Sequence, residues 1–202
     1  MRALKHLALA GLLGVAGFIQ VAPAQAAPVT YRLDPNHTMV LFSWNHFGFS
    51  NPTADLGISS GTVVFDEKNP AKSSVNVTMP LSLLDTHVPA LDQHLKEADF
   101  FDAAKYPTVT FKSTRVQPLG AQKFEVTGNL TVHGVTRPVV LEATLNRIGP
   151  HPMTKAPSIG FDATASLKRS AFGIGAYVPY VSDEIQIRIT TEGSVPKAGA
   201  GK

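Results

Sequence analysis

The chain reads as a single all-β domain, and three observations carry that reading. Apolar and polar residues alternate with period two in one segment after another. The strand-favouring residues Val, Thr, Phe and Ile are spread along the chain rather than blocked. Only one interior stretch has helical spacing. With 202 residues, 44% of them hydrophobic and 16% charged, the chain is neither disordered nor disulfide-rich, and two domains would be cramped. It contains no Cys, so its core alone must hold it, and a domain of this size can bury about 70% of its unfolded surface.

Residues 1–26 are set apart from the fold. Arg2, Lys5 and His6 make a positive start, residues 7–19 are apolar, and Ala24-Gln25-Ala26 supplies small residues for cleavage, so this segment reads as a secretory signal peptide. The apolar run falls short of the about 20 residues that span a bilayer, and no basic cluster follows it, so stable membrane insertion is not expected. Removing Arg2 and Lys5 brings the formal charge of +3 close to neutrality. A near-neutral mature chain without a Lys/Arg block offers no electrostatic case for nucleic acid or an anionic surface. The predicted domain occupies residues 27–195, and residues 196–202 form a Gly/Ala-containing tail.

Strand-like segments follow in order at residues 29–34, 39–45, 61–66, 74–79, 109–115, 124–132, 139–145, 159–167 and 185–189. In the second, Val40, Phe42 and Trp44 share one face, and the same period carries His46 inward. In the sixth, Phe124, Val126, Leu130 and Val132 alternate with Glu125, Thr127, Asn129 and Thr131. The helix is predicted over residues 89–98, from Pro89 near its start and the spacing of Leu91, Leu95 and Ala98. Loops are marked by Asp34-Pro35-Asn36, Asn51-Pro52, Lys68-Asn69-Pro70 and Gly149-Pro150-His151-Pro152. Periodicity alone does not choose between a sandwich and a closed barrel, and a barrel of about eight strands either fills with side chains or holds one small ligand. The inward set is aromatic, with Phe42, Trp44, Phe65, Phe111, Phe124 and Phe161 on strands and Phe100 and Phe101 after the helix, which suits an apolar ligand.

Catalytic motifs are weak. Gly57-Ile58-Ser59-Ser60-Gly61 matches the Gly-x-Ser-x-Gly string of hydrolase nucleophile elbows, but a strand follows it where a helix is required. Gly173-Ile174-Gly175 opens like a dinucleotide loop, yet Val178 replaces the third glycine and Pro179 blocks the following helix. The histidines lie in no metal-binding spacing; His87 and His94 are seven apart with Pro89 between them, so no metal and no cofactor is expected. Lys168-Arg169 could meet an anionic head group or could simply be a solvated strand end.

Five segments carry a resemblance: YRLDPNHTMVLFSWNHFGFS (residues 31–50), DQHLKEADFFD (92–102), YPTVTFKST (106–114), LTVHGVTRPV (130–139) and KRSAFGIGAYVPYVSDEIQI (168–187). In this order and spacing they resemble the YceI family, the second and fourth being the most specific. The resemblance implies an extended, lipocalin-like antiparallel β-barrel with one short helix near its mouth, in the bacterial periplasm. It further implies that a long apolar molecule, a polyisoprenoid or isoprenoid quinone, lies in the lumen, and it brings no catalytic residues. The motif residues carried over by position are His37, His46, His94, Phe100, Phe101, His133, Arg169, Phe172 and Gly173. Ala171 stands where the pattern commonly has an acidic residue, so no cation site in that loop is implied.

The expected function is therefore that of a periplasmic binding or carrier protein for an isoprenoid lipid, not an enzyme. The candidate ligand-binding residues are Phe42, Trp44, His46, His94, Phe100, Phe101, Phe111, Val132, His133, Phe161, Arg169 and Phe172. The helix and the turn after it are expected to cover one mouth, with His94 and His46 bonding a quinone carbonyl or phosphate oxygen. Two alternatives stay open: an exported hydrolase working through Ser59 or a His pair, and a filled barrel that binds a protein partner under stress. A homodimer is also left open.

Overall fold

In the computed structural model, which describes residues 27–197, one long strand has partners along both edges, and this closes the sheet. Strand β1 (Val29–Ser43) pairs β3 (Ser60–Phe65) on one side through its first residues. On the other side it pairs β10 (Glu184–Ser194) along nearly its whole length. From β3 the ring continues through β4 (Ser74–Pro80), β6 (Thr108–Pro118), β7 (Lys123–Val132), β8 (Val135–Pro150) and β9 (Pro157–Lys168) back to β10. All of these pairs are antiparallel, so the described residues form an eight-stranded closed barrel. Two short strands, β2 (Thr53–Leu56) and β5 (Leu84–Asp85), branch from the last residues of β1. The end of the barrel where they lie, and where β1 finishes, is called upper below.

Alternation and core agree where the pairing is regular. In β7, Phe124, Val126, Gly128, Leu130 and Val132 are buried in strict period two. In β6 the buried parity changes from Val109 and Phe111 to Val116, because a register shift between Ser113 and Arg115 inserts one unpaired residue. A similar shift between Leu145 and Arg147 turns Ile148 to the side already occupied by Leu145 in β8.

Two predicted boundaries move, and two short strands are new. The segments at 29–34 and 39–45 are one strand, and Asp34-Pro35-Asn36 is an irregularity inside it, where the register to β10 slips between Leu33 and Thr38. Pro35, which has no N–H to give a ladder, sits in that slip, and the Asn36 N–H bonds Asp34 Oδ1 at 2.9 Å instead. The helix α1 spans Pro89–Leu95 and not 89–98. It tightens to three-residue hydrogen bonds at Lys96→Gln93 and Glu97→His94 and then turns, which brings Phe100 inward. The short strands β2 and β5 have too few residues to show a period.

Candidate functional site

The barrel interior holds two adjoining cavities. The upper one, of about 330 Å³, lies under α1 and the upper connections; the lower one, of about 150 Å³, lies between the strands. Val40, Met79, Leu130 and Ile187 line both, so they form the waist of one lumen. Around the lower cavity Phe65, Phe124 and Phe161 stand edge-to-face in a triad, with ring centroids 6.0 to 6.3 Å apart. The buried and half-buried polar side chains there are already paired, leaving only the exposed Ser74 hydroxyl: the Thr38 and Thr191 hydroxyls lie 2.7 Å from each other, and Ser73 accepts the Asp66 N–H. Nothing in that wall asks for a polar ligand atom.

The upper cavity has a different wall. Phe42 packs on Trp44 at 5.9 Å and on Phe101 at 6.1 Å. Trp44 is the only tryptophan of the chain, so its fluorescence reports on this cavity. Beside them, His94 packs against Phe100 at 4.8 Å, and Tyr177 lies within 6.4 Å of both rings. The carboxylate of Asp92, in the first turn of α1, accepts both the Thr86 N–H at 2.7 Å and the Thr86 hydroxyl at 2.6 Å. The Thr86 hydroxyl and N–H hold the Asp92 carboxyl below its ordinary range, and these bonds tie the helix start to the chain leaving β5.

Among the described residues, Arg169 is the one cation buried in this wall. Its Nε donates to the Ser182 carbonyl at 2.9 Å, one terminal nitrogen to Ile174 at 3.1 Å, and the other to Ala176 at 2.8 Å and Val181 at 2.9 Å. Burial pushes the guanidinium's pKa down, opposed by the Asp183 charge. Burial raises the Asp183 carboxyl, but hydrogen bonds from the Ser170 N–H and hydroxyl, with the charges of Arg169 and Lys168, outweigh it and leave the carboxyl below its usual range. The guanidinium is thus the hub of the connection from β9 to β10. It is neither a solvated strand end nor a free anion receptor.

Of the expected residues, Phe42, Trp44, His46, His94, Phe100, Phe101, Val132, Arg169 and Phe172 all border the upper cavity. Phe111 and Phe161 border the lower one. His133 borders neither. It occupies the two-residue turn between β7 and β8, where His133 and Gly134 both have positive φ as a type I′ hairpin demands, and its Nδ1 lies 3.2 Å from the Phe172 carbonyl. His46 is also displaced from its expected place: β1 ends at Ser43, and His46 stands exposed at the rim, bridged to Ser50 and Val181. Three groups at the mouth keep free hydrogen-bonding capacity among the described residues: the His46 ring, the Tyr177 hydroxyl, and Nε2 of His94, whose Nδ1 is spent on Glu97 at 2.9 Å. Tyr177, Ile174 and Val181 were not expected in the wall, since the loop that carries them has no period. Its aromatic content was the only available signal.

The Ser59 hydroxyl donates to the Thr78 carbonyl at 3.4 Å, and the chain runs from it straight into β3, so the elbow geometry is absent. Among the described residues no cluster of three His, Cys, Asp or Glu could hold a metal, and no helix is long and apolar enough to cross a membrane.

A closed antiparallel barrel with an apolar lumen and a helix at one mouth has the architecture of a lipocalin-like barrel. The sequence profile of the YceI-like domain matches residues 31–193, and the chain belongs to the YceI family. It is 37% identical over 177 residues to Protein YceI of Escherichia coli O157:H7, covering 87% of this chain and 92% of that protein. The crystal structure of Burkholderia cenocepacia BcnA superposes with a TM-score of 0.71 at 27% identity, covering 79% of this chain and 98% of BcnA. A polyisoprenoid-binding domain from Saccharophagus degradans, implicated in plant cell wall breakdown, shares the fold at 13% identity, with a TM-score of 0.62 over 82% of this chain and 98% of that one.

Proposed function

We propose that this protein binds one long isoprenoid, a polyprenyl lipid or an isoprenoid quinone, with the tail through both cavities and the head group at the upper mouth. The observation that carries the reading is the distribution of unpaired polar groups: among the described residues the lower wall has its buried and half-buried polar side chains paired internally, with only the exposed Ser74 hydroxyl unpaired, and the other spare donors and acceptors lie at the mouth. The binding property of the Saccharophagus domain, on the same fold, supports it. Burial supplies enough affinity: a chain of about 40 carbons at roughly 0.3 kcal/mol per heavy atom reaches about −12 kcal/mol, which is nanomolar binding. The head group then sets orientation. A quinone carbonyl suits His46, His94 and Tyr177, whereas a phosphate would find Arg169 already engaged by four carbonyls. Residues 1–26, which lie outside the described residues, read as a cleavable signal peptide, and that reading supports a periplasmic location for the carrier.

Native mass spectrometry of the protein purified from its own host tests the proposal. A mass adduct that matches a prenyl lipid or quinone, together with quenching of Trp44 on quinone addition, is the expected result. Recovery of unliganded protein that neither shifts nor quenches with prenyl lipids would overturn it.

A further inference from the structure

Two upper connections form an uncharged aromatic ledge beside the mouth. Residues 44–52 and 172–182 contain no Asp, Glu, Lys or Arg. They are joined to each other: the Phe47 N–H bonds the Tyr180 carbonyl at 2.9 Å, the Ser182 N–H bonds the Asn45 carbonyl at 2.9 Å, and the Phe47 and Tyr180 rings stack at 6.3 Å. Four aromatic rings face water there, Phe49 at 92% exposure, Tyr180 at 71%, Tyr177 at 59% and Phe47 at 48%. Phe47 and Tyr177 sit at φ of 54° and 60°, a region that disfavours bulky side chains. The fold therefore tolerates backbone strain at two of the four rings while leaving them in water. Lining the lumen accounts in part for Phe47 and Tyr177, but not for the exposed Phe49 and Tyr180, which border neither cavity.

We infer that this ledge docks reversibly on the surface of a lipid bilayer, with Phe49 and Tyr180 entering the interfacial layer so that the upper mouth opens onto the membrane. Exposed apolar patches mark protein or membrane contacts, and aromatic rings with one wet end favour the bilayer interface. Area argues against a second copy: at about 200 Å² per aromatic side chain, the ledge offers roughly 500 Å², below the about 800 Å² per partner of a stable interface. The absence of charge fits a zwitterionic surface and predicts binding that salt does not weaken. Phe47 and Tyr177 line the upper cavity as well as the ledge, so the apolar surface runs unbroken from the membrane side into the lumen.

The docking inference rests on the lipid reading only for its cargo, and the test separates the two. Flotation with phosphatidylcholine vesicles free of quinone measures docking alone. The parent protein should float at low and high salt, and the double variant Phe49→Ser, Tyr180→Ser, neither of whose sites lines the lumen, should partition at least about tenfold less. Quinone delivered from detergent should quench Trp44 equally in both proteins. Quinone uptake from vesicles should accelerate with vesicle concentration for the parent alone. A parent that does not float, or a double variant that floats as well as the parent, would overturn the inference. So would sedimentation velocity showing a dimer that these substitutions dissolve, since a second copy would then own the ledge. If quinone in detergent quenches neither protein, the cargo assignment falls while the flotation result still judges the docking.

Discussion

The two ends of the lumen are built by different means. The lower wall comes almost entirely from strands, whose alternation is interrupted only at the slips in β1 and β6, and its aromatic triad interlocks edge-to-face. The upper wall takes its residues from strand ends, from α1 and from the connections at 44–52 and 172–182, and Arg169 holds the last of these by backbone carbonyls alone. Regular pairing makes a rigid tube that needs no polar support, whereas a mouth with free hydrogen-bonding groups has to be assembled from segments that no ladder stabilises. Shape should therefore govern stability below, and polar anchoring should govern it above.

Substitutions at the two ends put that contrast at risk. Phe124→Ala, in the lower triad and buried, should lower unfolding free energy by about 3–5 kcal/mol, measured by urea titration; a loss below 1 kcal/mol would mean the lower tube repacks freely. Arg169→Ala leaves four carbonyls without their donor. It should cost about 3 kcal/mol, since stranded buried acceptors are expensive, and hydrogen exchange should quicken through residues 173–182 before the strands; uniform exchange would contradict a local hub. Gly128→Ala is smaller. A Cβ there would lie 2.3 Å from Phe111 Cζ and 2.8 Å from the Lys112 carbonyl, so overpacking should cost about 1–3 kcal/mol and push Phe111 into the lower cavity. Quinone affinity should fall with it, and a variant that binds normally would show that the tail stays above the waist.

Phe101→Ala, at the half-buried upper position beside Phe42, should cost only about 1 kcal/mol while weakening quinone binding measured through Trp44. The reverse pattern would make Phe101 core rather than wall. Least of all is the acid response of Asp92. Its carboxyl lies below its unfolded value of about 3.9, so its contribution is present above that pH and is lost as pH falls through the folded value. The thermal midpoint of the parent should drop toward that of Asp92→Asn below about pH 4; parallel curves for the two proteins would remove Asp92 from the account.

Eight of the ten strands were legible because a barrel with one wet face and one apolar face writes period two into each of them. The resemblance and the aromatic bias singled out nine residues that border the upper cavity and missed others such as Tyr177, Ile174 and Val181, and the chemistry of those nine was not legible. His133 and His46 share the same motif-like appearance, yet the first is a hairpin-turn residue and the second a rim residue, because positive φ at 133 and the end of β1 at Ser43 are set by neighbouring strands. Arg169 next to Lys168 looks like an exposed pair until four carbonyls from residues up to 13 positions away converge on it.

The sequence by itself determined the eight strands of the ring, the apolar character of the interior and the family, since each depends on the order of residue types along short stretches. The closing of the sheet through β1 and β10, the division of the lumen at Val40, Met79, Leu130 and Ile187, and the joining of two distant loops into one aromatic ledge were decided only in three dimensions. Each of these depends on contacts between residues far apart in the chain, and no local period records which distant edge, ring or carbonyl a residue will meet.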